Sequence, residues 1–256
     1  MSYRICFESN AQSGYIHVLA ESTVLAHGLV ATQNAGSSNP GIYYQVGGAG
    51  RNGDFAEGLG TGATDTVNRA LAAAYDARYG KGSWQADQST AREDRLTSFY
   101  IPIPRPLPAR PAVGGKPPPV GDRIAGMVYS VGPVIHRGKI GDRDQYRQIY
   151  VDALLAVAAV NAQAAAGAAR IEGLRLTMLS TGLYSAGLPP ADAAKLASDA
   201  ADLILEALEQ AAKTDGAHVP GTILINTQKP TSKEIDAYSE AARKRGLKVD
   251  AQGFVL

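Results

Sequence analysis

With 256 residues the chain can form one large domain or two small ones and can bury a substantial core without covalent staples. A formal net charge of +1 excludes a general electrostatic pull toward nucleic acid or an anionic membrane surface. Cys6 is the single cysteine, which excludes an intramolecular disulfide, argues against a thiolate metal cluster and fits a reducing, cytoplasmic setting.

The N-terminal residues lack the long apolar stretch of a signal peptide. Residues 3–8 and 15–20 read as short strands, and residues 28–32 as a fully buried one. A Gly-rich segment, residues 33–64, follows. It carries Asn34-Ala35-Gly36-Ser37, then Gly47-Gly48-Ala49-Gly50, then Gly58-Leu59-Gly60-Thr61-Gly62. A segment of this length is expected to be a functional loop or a flexible surface excursion. Residues 64–79 form an amphipathic helix with Val67, Leu71 and Ala74 on one face, capped by Thr64 or Asp65. The glycines at 58–62 therefore stand directly before a helix start, where free backbone N–H groups suit an anion.

Residues 80–125 read as a Pro-rich insertion or arm within a single domain spanning 1–256. Alternation of Pro with Ile, Arg and Leu at 101–108 favours an extended or edge path, either as a spacer or as a ligand for a partner domain. Residues 124–131 are again a buried strand pattern and end at Gly132-Pro133. A long helix over 144–165 follows. Its Ala-rich continuation to 169 is interrupted by Asn161, Gln163 and Gly167, which makes a poor membrane span. The next apolar run, Leu174 to Leu179, is broken by Arg175 and Thr177 and changes abruptly to Ser180-Thr181-Gly182. Helices over 192–213 and 232–245 enclose a last core strand at 222–226, and residues 247–249 and 254–255 add an edge strand.

Strands alternating with helices predict a three-layer α/β/α sandwich around a mixed, largely parallel sheet. Right-handed crossovers then bring the carboxyl ends of strands 28–32, 124–131 and 174–179 to one edge. Their small-residue loops face a common crevice, where open α/β sheets bind ligands.

Leu179-Ser180-Thr181-Gly182-Leu183-Tyr184-Ser185 resembles the second ligand loop of the macro domains, a family that binds ADP-ribose. That loop reads Ser-Thr-Gly-aliphatic-aromatic-Gly after a strand. Val128-Tyr129-Ser130-Val131-Gly132-Pro133 is similar to the family's His-x-Val-Gly-Pro strand end, with Tyr129 in place of the motif's His. Val67-Asn68-Arg69-Ala70 after Gly60-Thr61-Gly62 is similar to the Gly-rich first loop and its helix. Thr32-Gln33-Asn34-Ala35-Gly36-Ser37 looks like a degraded Val-Asn-Ala-Ala-Asn-Ser, in which Asn34 matches the first asparagine and Ser37 stands at the second. The hydrolases' Gly-Gly-Gly-x-Asp-Gly run is represented by Gly60-Thr61-Gly62-Ala63-Thr64-Asp65, with the acid displaced by one residue or replaced by Thr64.

The resemblance implies a diphosphate held by backbone N–H groups of Ser180, Thr181, Gly182 and Leu183 and of Gly60, Thr61, Gly62 and Ala63. Tyr184 would wall the distal ribose, or serve as a core-edge aromatic. Glu21 would contact the adenine amino group. Hydrolysis of an ADP-ribosyl bond would fall to Asp65, Asn34 and Glu57, with Asp54 and His136 as further candidates and by analogy with glycoside hydrolysis. No metal and no cofactor are called for, since no His or Cys cluster has zinc-ligand spacing. The implied partner is ADP-ribose or an ADP-ribosylated protein, with no membrane and no nucleic acid. A non-catalytic binding module, or an interaction protein keeping only the fold, are the alternatives.

Overall fold

The structure is a computed structural model. It describes residues 2–9, 11–12, 15–16, 18–36, 46, 50–87, 95, 97–107, 120–133, 135, 138–179, 187–227 and 233–256.

Apolar β-rich runs form the centre. Strands β1 (Arg4–Ser9), β4 (Leu29–Ala35), β6 (Ile124–Ser130), β7 (Ile171–Leu176) and β8 (Thr222–Thr227) pair in parallel, in the order β6-β4-β7-β8-β1. Antiparallel strands close both flanks. β5 (Ser98–Pro102) pairs with β6 on one side, and β10 (Gly253–Val255) with β9 (Val249–Asp250) extends β1 on the other. Part of the 80–125 segment thus joins the sheet as an edge strand, and Pro102 sits at its end, where a missing N–H is tolerated. Residues 108–119 of the Pro-rich run lie outside the described residues.

Alternate side chains feed two cores. Ile223 and Ile225 of β8 and Val128 of β6 face the helices α4 (Arg143–Gln163), α5 (Pro190–Asp215) and α6 (Lys233–Lys244). Leu224, Met127 and Tyr129 face α1 (Gly50–Leu59) and α2 (Thr61–Tyr79), while the short α3 (Ser83–Asp87) follows α2. The result is the expected α/β/α sandwich. Asp142 caps α4 by accepting from the Gln145 N–H at 2.8 Å, and Pro190 opens α5 at a position where its missing N–H costs nothing. The Ala-rich face of α4 packs on the sheet, and no described helix is long and apolar enough to cross a membrane. Asn161, which interrupts that face, is buried. Its amide donates to Ile171 O and His218 O and accepts from Ile171 N, so it ties the starts of β7 and β8 together.

One early element differs from expectation. The strand expected over 15–20 is only β3 (Tyr15–Ile16), which pairs with β2 (Ala11–Gln12) in a separate hairpin. Residues 18–23 instead cross the α1–α2 face of the sheet. Thr32 Oγ1 donates to Val18 O at 3.1 Å, and the Thr23 N–H donates to Glu8 Oε1 at 2.8 Å. At the other flank the chain ends meet. The Tyr3 N–H donates to Leu256 O at 3.1 Å and the Leu256 N–H to Tyr3 O at 2.9 Å. Gly253 makes that turn possible. Its φ is +138°, and a Cβ there would lie 1.8 Å from the Ile5 carbonyl oxygen. Gly253→Ala is expected to cost about 2 kcal/mol or more, read as a lowered thermal midpoint; an unchanged midpoint would mean that β10 does not pack on β1 in this way.

Candidate functional site

The carboxyl ends of the parallel strands change from apolar to polar on the α1 side. Cys6, Leu224 and Met127 are core. Two residues further on, and therefore on the same face, stand Glu8, Asn226 and Tyr129. Glu8 pairs in register with Asn226, and Asn34 of β4 with Tyr129. Both asparagines are buried, at 0% and 3% exposure. The first turn of α1 lies over this row. Asn34 Nδ2 donates to Asn52 Oδ1 at 2.9 Å, and Arg51 Nη2 donates to the Asn226 carbonyl at 3.2 Å. Consecutive residues of α1 thereby reach β4 and β8, the two neighbours of β7. That sets the two asparagines two strand spacings apart, about 10 Å.

Two guanidinium groups, one fully buried and one half-buried, share this layer and differ in their partners. Arg175, on β7 and fully buried, bonds Glu8 Oε2 at 2.8 Å, Val18 O at 2.7 Å and Ala20 O at 3.1 Å. Among the described residues Arg51 Nη2 bonds a backbone carbonyl, while its Nη1 is sealed from solvent without a partner. The Asn34 Oδ1 and both amide atoms of Asn226 are likewise buried and, among the described residues, unpartnered. Burial pushes Arg51 down to about 10; Glu234 and Asp54 oppose that shift through space and Arg175 adds to it. Burial raises the Asp54 carboxyl above its ordinary value, with Arg51 opposing and Glu57 reinforcing the shift.

The exit of β7 is held from the other face. Tyr150 of α4 donates to Thr177 O at 2.7 Å and accepts from the Leu179 N–H at 2.7 Å, while Tyr146 donates to Leu179 O at 2.9 Å. Ser180, Thr181, Gly182, Leu183 and Tyr184, which follow this clamp in the chain, lie outside the described residues, as does His136. Gly187, where the described chain resumes, has φ +93°.

Of the other expected site residues, Asn34 stands in the crevice. Gly60, Thr61, Gly62 and Ala63 do not, because residues 50–59, expected as part of a loop, are the helix α1. From Asn52 at the carboxyl edge to Gly60 is eight residues, about 12 Å along a helix axis. Gly60, with φ +80°, breaks the path, and α2 runs back until Tyr75 packs on Phe99, beside Tyr129 at the carboxyl edge. The start of α2 therefore faces the opposite end of the sheet. Asp65 is exposed there, and Glu57 is exposed on the last turns of α1. Glu21 is also displaced: its carboxylate takes the Arg123 N–H at 3.1 Å and Nε at 2.8 Å, just before β6 begins. That is the amino edge, away from the crevice.

Sequence reasoning missed Arg51, Asn52 and Asn226. The available signal was the earlier glycine cluster. Gly48-Ala49-Gly50-Arg51-Asn52-Gly53, whose last four residues open α1, follows the Gly-Gly-Gly-x-Asp-Gly run without displacement, with Ala49 for its middle glycine and Asn52 in the acid's place. Among the described residues no group of His, Cys, Asp or Glu could hold a metal ion.

No family model and no curated protein sequence matches this chain. Solved structures do. A macrodomain of Oceanobacillus iheyensis with MES bound is 14% identical, with a TM-score of 0.52 over 85% of this chain and 85% of that one. The same organism's macrodomain with ADP gives 14% identity and a TM-score of 0.51 over 85% and 84%. The Trypanosoma brucei macrodomain in complex with ADP gives 13% identity and 0.50 over 93% and 69%. With its mixed eight-stranded sheet between two helical layers, this chain accordingly adopts the macrodomain fold.

Proposed function

We propose that the chain binds ADP-ribose or an ADP-ribosyl group along the carboxyl edge, across β7 between Asn34 and Asn226. One observation carries the reading. Four buried polar atoms, on Asn34, Arg51 and Asn226, gather at the start of α1 with no partner among the described residues. Such atoms are costly unless something pairs with them. A helix start beside a guanidinium suits a diphosphate, and the amides suit ribose hydroxyls or a base edge. Similar folds solved with ADP support the same ligand class. The biological partner is then a free ADP-ribose or an ADP-ribosylated protein.

Hydrolysis of ADP-ribosylated substrates is the second reading. Its support is Asp54, a partly buried carboxyl with a raised pKa, two residues beyond Asn52. Against it, Asn52 puts a neutral amide where the hydrolases' run has an acid, and the other expected acids, Asp65 and Glu57, are exposed away from the crevice. Binding without turnover is therefore the expected result. Calorimetry with ADP-ribose should give a saturable isotherm, and an ADP-ribosylated protein incubated with the chain should release no ADP-ribose. Release that disappears in Asp54→Asn, with binding retained, would replace the binding reading by the hydrolytic one. A flat isotherm would remove both.

A further inference from the structure

We infer that Arg51 is the specificity-determining residue of the crevice, taking a phosphate oxygen of the ligand as the counter-ion that the described residues do not supply. The inference rests on the ADP-ribose reading and says how that ligand is chosen, by phosphate charge rather than by shape alone.

Three observations converge on it. First, among the described residues Arg51 has no carboxylate at ion-pair distance; Glu234 and Asp54 act on it only through space. A guanidinium presents five N–H donors in a fork that matches phosphate oxygens in pairs, and here one Nη is pinned by the Asn226 carbonyl while the other is idle. Second, Arg175 in the same layer shows how this chain satisfies a buried guanidinium when the purpose is structural. It has a carboxylate on one side and two carbonyls on the other. An arginine left half-paired a few residues from that arrangement awaits a partner from outside. Third, Arg51 is the second residue of the ten-residue α1, so its charge adds to the positive end of a helix. Beside it the Asn226 amide, only 3% exposed, has neither atom bonded. Asn226 would then orient the group attached to the phosphate, accepting and donating at once.

The consequence is a ligand series ordered by phosphate content and a binding constant that falls with salt. The test uses calorimetry on the full chain with ADP-ribose, ADP, AMP, adenosine and inorganic pyrophosphate, over a range of salt, for the native protein, Arg51→Gln and Arg51→Lys. Expected for Arg51→Gln is a loss of about 10- to 100-fold in ADP-ribose affinity, a flatter salt dependence and unchanged adenosine binding. Arg51→Lys should restore part of the affinity and most of the salt dependence. The unligated Arg51→Gln protein should melt no lower than the native one, since it loses an uncompensated charge; a structural arginine would lower the melting point. Native affinity and native salt dependence in Arg51→Gln would overturn the inference and leave the ADP-ribose reading standing. If the native chain does not take up ADP-ribose, the ADP-ribose reading falls, and pyrophosphate decides on Arg51: binding lost in Arg51→Gln sustains its role as an anion ligand, and no binding to either protein ends it.

Discussion

Arg175→Met is expected to remove about 3–5 kcal/mol of folding stability, a third or more of what a domain of this kind usually has. The size follows from what is left behind. Arg175 and Glu8 are both fully buried, and Glu8 has the Thr23 N–H as its other strong partner. Without the guanidinium, Glu8 is an isolated carboxylate in the core, the Ala20 carbonyl loses this donor, and the Val18 carbonyl is left with Thr32 Oγ1. The segment 18–23 then loses two of its anchors to the sheet. Urea unfolding measures the effect. The double variant Glu8→Gln with Arg175→Met should cost clearly less than the single one, because the stranded charge is gone. Equal losses in the two variants would mean that the pair is not coupled as the geometry requires.

Alkaline pH should unfold the protein over a narrow range. Tyr3, Tyr75, Tyr146, Tyr150 and Tyr238 are all buried, and burial raises the phenol of each, for Tyr3 to about 12. The unfolded chain ionises its tyrosines near pH 10. Above that value the folded state holds protons that the unfolded state has released, so stability falls as pH rises; below it the contribution is fully present. Each tyrosine removes up to about 1.4 kcal/mol per pH unit, and five remove up to about 7. Arg51 has the opposite sign, because its lowered pKa makes the folded state release a proton first, and it offsets about one tyrosine. The expected outcome is cooperative loss of circular dichroism about one to two pH units above 10, with phenolate absorbance rising in the same step. Smooth tyrosine titration near pH 10 with the fold intact would contradict the burial of these rings.

The sheet was legible because its strands are apolar runs ended by small residues, and because α2, α4, α5 and α6 repeat their apolar positions at helical spacing. Helix α1 was not. Gly50, Gly53 and Gly58, with Asn52 and Asp54, make Gly50–Leu59 a poor helix by propensity. It is helical because Phe55 and Leu59, one turn apart, are 0% and 1% exposed against the core. Tertiary packing overrode local preference, and that single misreading carried the first ligand loop, Asp65 and Glu57 to the wrong end of the molecule. Glu21 failed for a different reason. Counting residues back from Asn34 assumes a direct path, whereas residues 18–23 detour across the sheet and leave that carboxylate on Arg123. Arg175 was visible only as a break in an apolar run. Its explanation, Glu8, lies 167 positions away in the chain, and spacing rules do not reach that far. Asn226 has no local signature at all, since one amide at a strand end becomes informative only when its neighbours are known.

The hydrogen-bonded meeting of Tyr3 with Leu256 lies at the amino ends of the parallel strands, behind the crevice. Anything fused to either end, whether an affinity handle, a fluorophore or a neighbouring domain, emerges from the rear of the molecule. A chain immobilised through that corner turns the carboxyl edge of the sheet away from the support, so sensor-surface measurements and free-solution calorimetry should return the same affinity.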